Sequence, residues 1–211
     1  MNPKRIILFC CKNEINNINY YISKKFKNSL ISYNTEENEY YFSLKNGNVE
    51  KINIKIIVLQ FNEKLVDSIC EILNLSYSQS QSIVNEPTGP FNKPEIYSEI
   101  VNYINLCSYN EDQLSSIFEF VANLFFRYLI GHKMKNGNKR LSFIFLVNLL
   151  RFFGYHFFWT WGYMKDYSKY VEEIENWVIT WYEYGENNRD EYIKLLVNWI
   201  MDNCVIALFW R

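Results

Sequence analysis

The sequence contains little glycine, proline or histidine. Seven glycines and four prolines among 211 residues exclude collagen-like chains and disordered chains rich in these two residues. A hydrophobic fraction of 49% excludes global disorder. The chain is long enough for one well-buried domain, or for one domain with a small appendage.

The sequence also lacks an excess of charge of either sign. Lysine and arginine total 22, and aspartate and glutamate total 23. Because no overall basic field attracts nucleic acid or an anionic membrane, we expect neither as a partner. The charge is unevenly distributed, however, and residues 111–165 carry seven basic and three acidic side chains. An anionic ligand should therefore favour this part of the chain.

The cysteines and histidines do not form a metal-binding pattern. The five cysteines are scattered without a C-x-x-C pair, and there are only two histidines. These numbers argue against a zinc site of the usual kind. The sequence instead predicts free thiols in a reducing cytoplasm.

No apolar run is long enough for a membrane span. The most apolar stretch, Leu141–Trp161, is interrupted by Asn148, Arg151 and Gly154. A membrane helix needs 18 or more consecutive apolar residues, so this stretch predicts a buried core helix instead. We therefore expect a soluble protein.

Residues 1–62 predict a small α+β extension. Arg5–Cys11 has the pattern of a short strand, and Glu14–Ser29 that of a weak helix. Glu39–Leu44 and Val49–Phe61 flank an Asn-Gly pair, which is the strongest short signal for a hairpin, since both turn positions need positive φ.

From about residue 63 the hydrophobic period becomes helical. We expect a helical core over 63–165, followed over 166–211 by aromatic-rich helices packed on it. The strongest helix follows a capping-box pattern at Ser108–Glu111. The periodicity predicts helices over Val66–Leu75, Glu95–Leu106, Leu114–Leu129, Leu141–Phe153, Asp166–Tyr182 and Arg189–Phe209.

Between the two strongest helices lies the segment His-Lys-Met-Lys-Asn-Gly-Asn-Lys-Arg, residues 132–140. Gly137 and Asn138 predict a turn into a helix N-terminus, where backbone N–H groups and the helix dipole favour a phosphate. Four basic side chains strengthen this field: Lys133, Lys135, Lys139 and Arg140. His132 can accept a proton near neutral pH. A base beside a phosphate site suggests the transfer of a phosphorus group to a hydroxyl.

This segment resembles the signature of the Fic/Doc (Fido) family, H-x-F-x-D/E-x-N-G/K-R. The matching residues are His132, Asn138, Lys139 and Arg140, with Met134 where phenylalanine is usual and Asn136 where the family has an acidic residue. Lysine after the asparagine is similar to the Doc-like (death-on-curing) branch. The resemblance covers roughly Ser76–Tyr155.

The resemblance implies a mainly α, Fido-type helical bundle that transfers a phosphate-containing group from ATP, or another nucleotide triphosphate, to a Ser, Thr or Tyr hydroxyl of a target protein. It implies that His132 is the catalytic base and that Asn136 occupies the position of the Mg²⁺ ligand. The phosphate-binding residues would be Lys135, Gly137, Asn138, Lys139 and Arg140. The flap on which the target docks would include Thr88, Gly89, Phe91 and Asn92.

Two alternatives stay open under this resemblance. Lys139 favours γ-phosphate transfer, as by a kinase, over the AMP transfer that is associated with glycine at that position. Asn136 favours a second hypothesis, a catalytically degenerate Fido fold that acts as a nucleotide- or protein-binding module, because a neutral oxygen is a weaker Mg²⁺ ligand than a carboxylate. The sequence has no copy of the family's self-inhibitory motif, and Phe143 replaces its second arginine. The resemblance therefore implies a toxin of a toxin–antitoxin pair, restrained by an antitoxin partner.

Overall fold

The protein is mainly helical and carries a small sheet at its N-terminal end. This architecture confirms the coarse prediction of a helical core with an α+β extension. A computed structural model describes residues 4–18, 22, 31–34, 36–37, 39–43, 48–82, 90, 92–131, 134, 136–157 and 167–206.

The N-terminal sheet has four strands in the order β1-β4-β3-β2. Their bounds are β1 Lys4–Cys10, β2 Ile31–Asn34, β3 Glu39–Ser43 and β4 Val49–Val58. The antiparallel pairing of β3 with β4 confirms the predicted hairpin strands, whereas β1 pairs with β4 in parallel. The turn at 44–47 lies outside the described residues. Of the weak helix predicted over Glu14–Ser29, the structure describes a 3₁₀ turn, Lys12–Asn17, and Ile18 and Ile22; the other residues after 18 lie outside the described part.

Six α-helices follow within the described residues. Their bounds are α1 Glu63–Ser82, α2 Lys93–Tyr109, α3 Ile117–Ile130, α4 Asn138–Phe152, α5 Tyr167–Thr180 and α6 Arg189–Asp202. The central helix α4 packs against α1 and α3, and α3 also packs against α6. All six positions agree with the helical periodicity of the sequence.

The start of α3 differs from the prediction. The capping box expected at Ser108–Glu111 is wrong, because Ser108 lies inside α2. The cap is instead Ser116, whose Oγ accepts a hydrogen bond from the Glu119 amide at 3.1 Å. A serine with glutamate three residues later occurs at both places in the sequence, and continuation of α2 to Tyr109 selects the second.

The sheet and the helices share one hydrophobic core. Ile6 and Leu8 of β1 are fully buried in the same cluster as the side chains of α3 and α4. The turn after α4 lies directly against β1, where the Phe9 amide donates to the Phe153 carbonyl at 3.0 Å. Gly154 has φ of 91°, and a Cβ at this position would lie 2.1 Å from the Ile7 carbonyl oxygen. Glycine is required here both by the backbone conformation and by the close approach.

The C-terminal helices pack through aromatic side chains. Trp199 of α6 stacks against Phe125 of α3 and lies 5.5 Å from Trp177 of α5, between ring centroids. The helix predicted over Arg189–Phe209 ends at Asp202, however. A short strand, β6 Cys204–Ile206, follows it and pairs with β5 Tyr155–Phe157.

Within the described residues, no helix is both long enough and apolar enough to cross a membrane.

Candidate functional site

The loop that precedes α4 enters the helix through a left-handed glycine. Gly137 has φ of 89° and ψ of 10°, a conformation that glycine adopts without a steric penalty. Asn138 begins α4, and the Leu141 amide donates the first helical hydrogen bond to the Gly137 carbonyl at 2.9 Å. The helix start that the sequence predicts at this position is therefore present.

The electrostatic character of this helix start is positive. The amides that precede Leu141 have no acceptor four residues earlier within α4, and the helix dipole adds partial positive charge at the same end. Lys139 and Arg140 lie in the first turn, and that turn contains no acidic residue. Both side chains are half-buried. This combination of backbone and side-chain charge can hold a phosphate.

Met134 anchors the loop to the core. Its side chain is only 4% exposed and belongs to the central hydrophobic cluster. Its backbone is also fixed, because the Met134 amide donates to Oδ1 of Asn138 at 2.8 Å and Nδ2 of Asn138 donates to the Met134 carbonyl at 2.5 Å. The Asn138 side chain, which by resemblance to the Fic/Doc signature would bind phosphate, thus contacts the loop backbone.

Lys139 forms an ion pair with the C-terminal helices. Its Nζ lies 2.5 Å from Oε1 of Glu175 on α5. The two side chains are 43% and 46% exposed, so solvent screens the pair, and such surface pairs contribute about 0.2–1 kcal/mol. A bound phosphate would compete with the Glu175 carboxylate for the ammonium group.

Arg140 connects the helix start to α1. Its Nη1 donates to the Ser80 carbonyl at 3.1 Å, near the end of α1. An arginine interacts favourably with the partial negative charge at a helix C-terminus. A phosphate that binds Arg140 would therefore share the guanidinium with the Ser80 carbonyl.

A set of hydrogen-bonded polar side chains, here called the polar seam, lies between α1 and α4. Asn148 donates from Nδ2 to Oγ of Ser76 at 2.9 Å and to Oε1 of Gln79 at 2.8 Å. Ser76 is completely buried, so this bond satisfies a group that water does not reach. The seam fixes the position of α4 relative to α1 and thereby the position of Arg140.

The remaining predicted site residues are less fully described. Asn136, at the position of the family's metal ligand, is exposed. Asn92 is the N-cap residue of α2. In the part of the chain that the structure describes, no group of three or more His, Cys, Asp or Glu side chains could hold a metal ion. Five predicted site residues lie outside the described residues: Thr88, Gly89, Phe91, His132 and Lys135.

Sequence reasoning missed one strongly perturbed acid. Glu14 is 2% exposed, and its Oε2 accepts hydrogen bonds from the Cys11 amide at 2.7 Å and the Ile117 amide at 2.8 Å. Burial raises the pKa of this carboxyl group to about 7. Because Ile117 begins α3, the carboxylate joins the 3₁₀ turn to a helix N-terminus, and we interpret its role as structural. A lone glutamate in a polar segment gives no sequence signal of this burial.

Comparisons with known protein families, with characterised proteins and with solved structures give no match.

Proposed function

We propose that the loop over 132–140 and the N-terminus of α4 bind the phosphates of ATP or another nucleotide triphosphate. The observation that supports this proposal is the left-handed Gly137 immediately before a helix start that carries Lys139 and Arg140 and no acidic residue. A helix N-terminus with these charges stabilises an anion more strongly than either feature alone. The basic excess of residues 111–165 acts in the same direction.

We further propose that the protein transfers a phosphate-containing group to a Ser, Thr or Tyr hydroxyl of a target protein, as in the Fic/Doc family that the sequence resembles. His132 would remove the hydroxyl proton, and the bond from the attacking oxygen to phosphorus would form as the bond to the leaving phosphate oxygen breaks. Lys139 and Arg140 would stabilise the negative charge that develops on the phosphoryl oxygens. The Doc-like Lys139 favours transfer of the γ-phosphate over transfer of AMP.

Mg²⁺ would be held mainly by the nucleotide phosphates, with Asn136 as a neutral oxygen ligand. The exposed position of Asn136, directly before Gly137, is compatible with this role. The target would dock along the flap that includes Thr88, Gly89, Phe91 and Asn92.

We also propose that the protein acts in a reducing cytoplasm, as a toxin whose antitoxin partner covers the site. Its five cysteines are all free, and four of them are buried.

The test is transfer of radioactive label from ATP to the proteins of a cell lysate, with ATP labelled separately at the α- and γ-phosphate. The proposal predicts label from the γ position with the intact protein and none with His132→Ala. Label from the α position alone would replace kinase activity with AMP transfer. Equal labelling by the intact protein and by His132→Ala would refute the assignment of the catalytic base.

A second candidate function, a binding module without catalysis, is favoured by the contacts of the two basic side chains. Lys139 is paired with Glu175, and Arg140 donates to the Ser80 carbonyl. Such contacts hold the helix start together without a ligand. The module would bind ATP without transferring any label, so the same labelling experiment combined with a binding measurement separates the two functions.

A further inference from the structure

The side chain of Asn138 is bonded on both of its polar atoms to a single residue. Its Oδ1 accepts from the Met134 amide at 2.8 Å, and its Nδ2 donates to the Met134 carbonyl at 2.5 Å. The carboxamide thus pairs with both backbone groups of Met134, as the backbone of a neighbouring antiparallel strand would. They close the loop from Met134 to Asn138 into a ring.

The hydrophobic core holds both ends of this ring in place. Met134 is buried to 96% by its side chain contacts with the core, so its backbone cannot shift without disturbing that packing. Asn138 is the first residue of α4, which the core also holds in place. Gly137, directly before Asn138, takes a positive φ of 89°, which glycine adopts without strain.

We propose that Asn138 is a positioning residue that shapes the phosphate site through its two bonds to Met134. The relevance of this inference to catalysis rests on the proposed function. The geometry that supports it does not depend on any ligand. The phosphates then contact the backbone N–H groups at the start of α4 and the side chains of Lys139 and Arg140. A ligand that drew the Asn138 carboxamide away from Met134 would break both bonds and release the loop.

The first test measures hydrogen exchange of the Met134 amide by NMR in the protein without nucleotide. In Asn138→Ala the amide loses its acceptor, and we expect exchange to be at least fivefold faster. Asn138→Asp retains an acceptor for this amide but loses the donor to the Met134 carbonyl, so we expect an exchange rate between those of the intact protein and Asn138→Ala. The matched control is Asn110→Ala, which removes a half-buried asparagine that bonds the Leu106 carbonyl at the end of α2. Unchanged exchange in Asn138→Ala would overturn the inference.

The second test repeats the exchange measurement on the intact protein saturated with ATP. A positioning residue keeps its bonds when the ligand is bound, so we expect the Met134 amide to stay protected or to become more protected. Faster exchange on ATP binding would show that Asn138 leaves Met134 for the ligand, and it would overturn the inference. Absence of ATP binding would refute the proposed function and the catalytic part of this inference, whereas the first test would still decide whether Asn138 holds the loop.

Discussion

Glu14 allows a quantitative test of the fold, because a buried carboxyl group makes stability depend on pH. The perturbation is Glu14→Gln, which removes the ionisable group and retains an oxygen that can accept from the Cys11 and Ile117 amides. Burial raises the pKa of Glu14 from its ordinary value of 4.5 to about 7. The neighbouring thiol of Cys10, whose pKa burial raises to about 11, stays neutral over this range.

The sign and size of the effect follow from proton linkage. The folded state binds the Glu14 proton more tightly than the unfolded state, so this group contributes stability that is fully present below pH 4.5 and is lost as the pH rises through 7. Each unit of pKa corresponds to about 1.4 kcal/mol. The difference between 4.5 and 7 therefore corresponds to about 3 kcal/mol of unfolding free energy.

The assay is urea denaturation of the intact protein and of Glu14→Gln at several pH values from 4.5 to 8. We expect the difference in unfolding free energy between the two proteins to change by about 3 kcal/mol across this range, in favour of the variant at high pH. Glu71→Gln, at an exposed position of α1, serves as the control and should leave the pH profile unchanged. Parallel profiles for the intact protein and Glu14→Gln would refute the assignment of a buried, titrating carboxyl group.

Three further substitutions have predicted outcomes. Gly154→Ala should lower the unfolding free energy by at least about 2 kcal/mol in thermal or urea denaturation. The reason is that φ of Gly154 is positive and the added Cβ would meet the Ile7 carbonyl oxygen. A loss below about 0.5 kcal/mol would contradict this close approach. Glu175→Gln should strengthen ATP binding up to about fivefold, because it removes the carboxylate that competes for Lys139, and weaker binding would contradict that competition. Asn136→Asp should make ATP binding depend more steeply on Mg²⁺ concentration, since a carboxylate is the better ligand, and an unchanged dependence would place the metal elsewhere.

The sequence was sufficient for features that depend on local periodicity. The alternation of apolar residues in Val49–Val58 and the Asn-Gly pair before it predicted the β3–β4 strands. The regular apolar spacing of α3 and the nearly continuous apolar run of α4 predict these helices to within a few residues. Gly137 is identifiable as a turn residue, because few other residues adopt a positive φ without strain.

Features that depend on distant residues could not be predicted in this way. The strands β5 and β6 are three residues each, too short for a periodic signal, and each exists only because the other lies beside it. Lys139 and its partner Glu175 are 36 residues apart, so their contact depends on how α5 packs against α4. The bonds from Asn138 to Met134 are local, but the motif gives no indication that the side chain turns back to the loop.

The central claim is that the start of α4 binds the phosphates of a nucleotide, and calorimetric titration of ATP with Mg²⁺ tests it most directly. Lys139→Ala and Arg140→Ala each remove one charged phosphate contact, so we predict that ATP binds the intact protein and that each variant binds it about tenfold more weakly. Lys64→Ala removes a lysine of the same charge at the far end of α1 and should leave the affinity unchanged. Equal ATP affinity in the intact protein, Lys139→Ala and Arg140→Ala, or no binding by the intact protein, would contradict the claim.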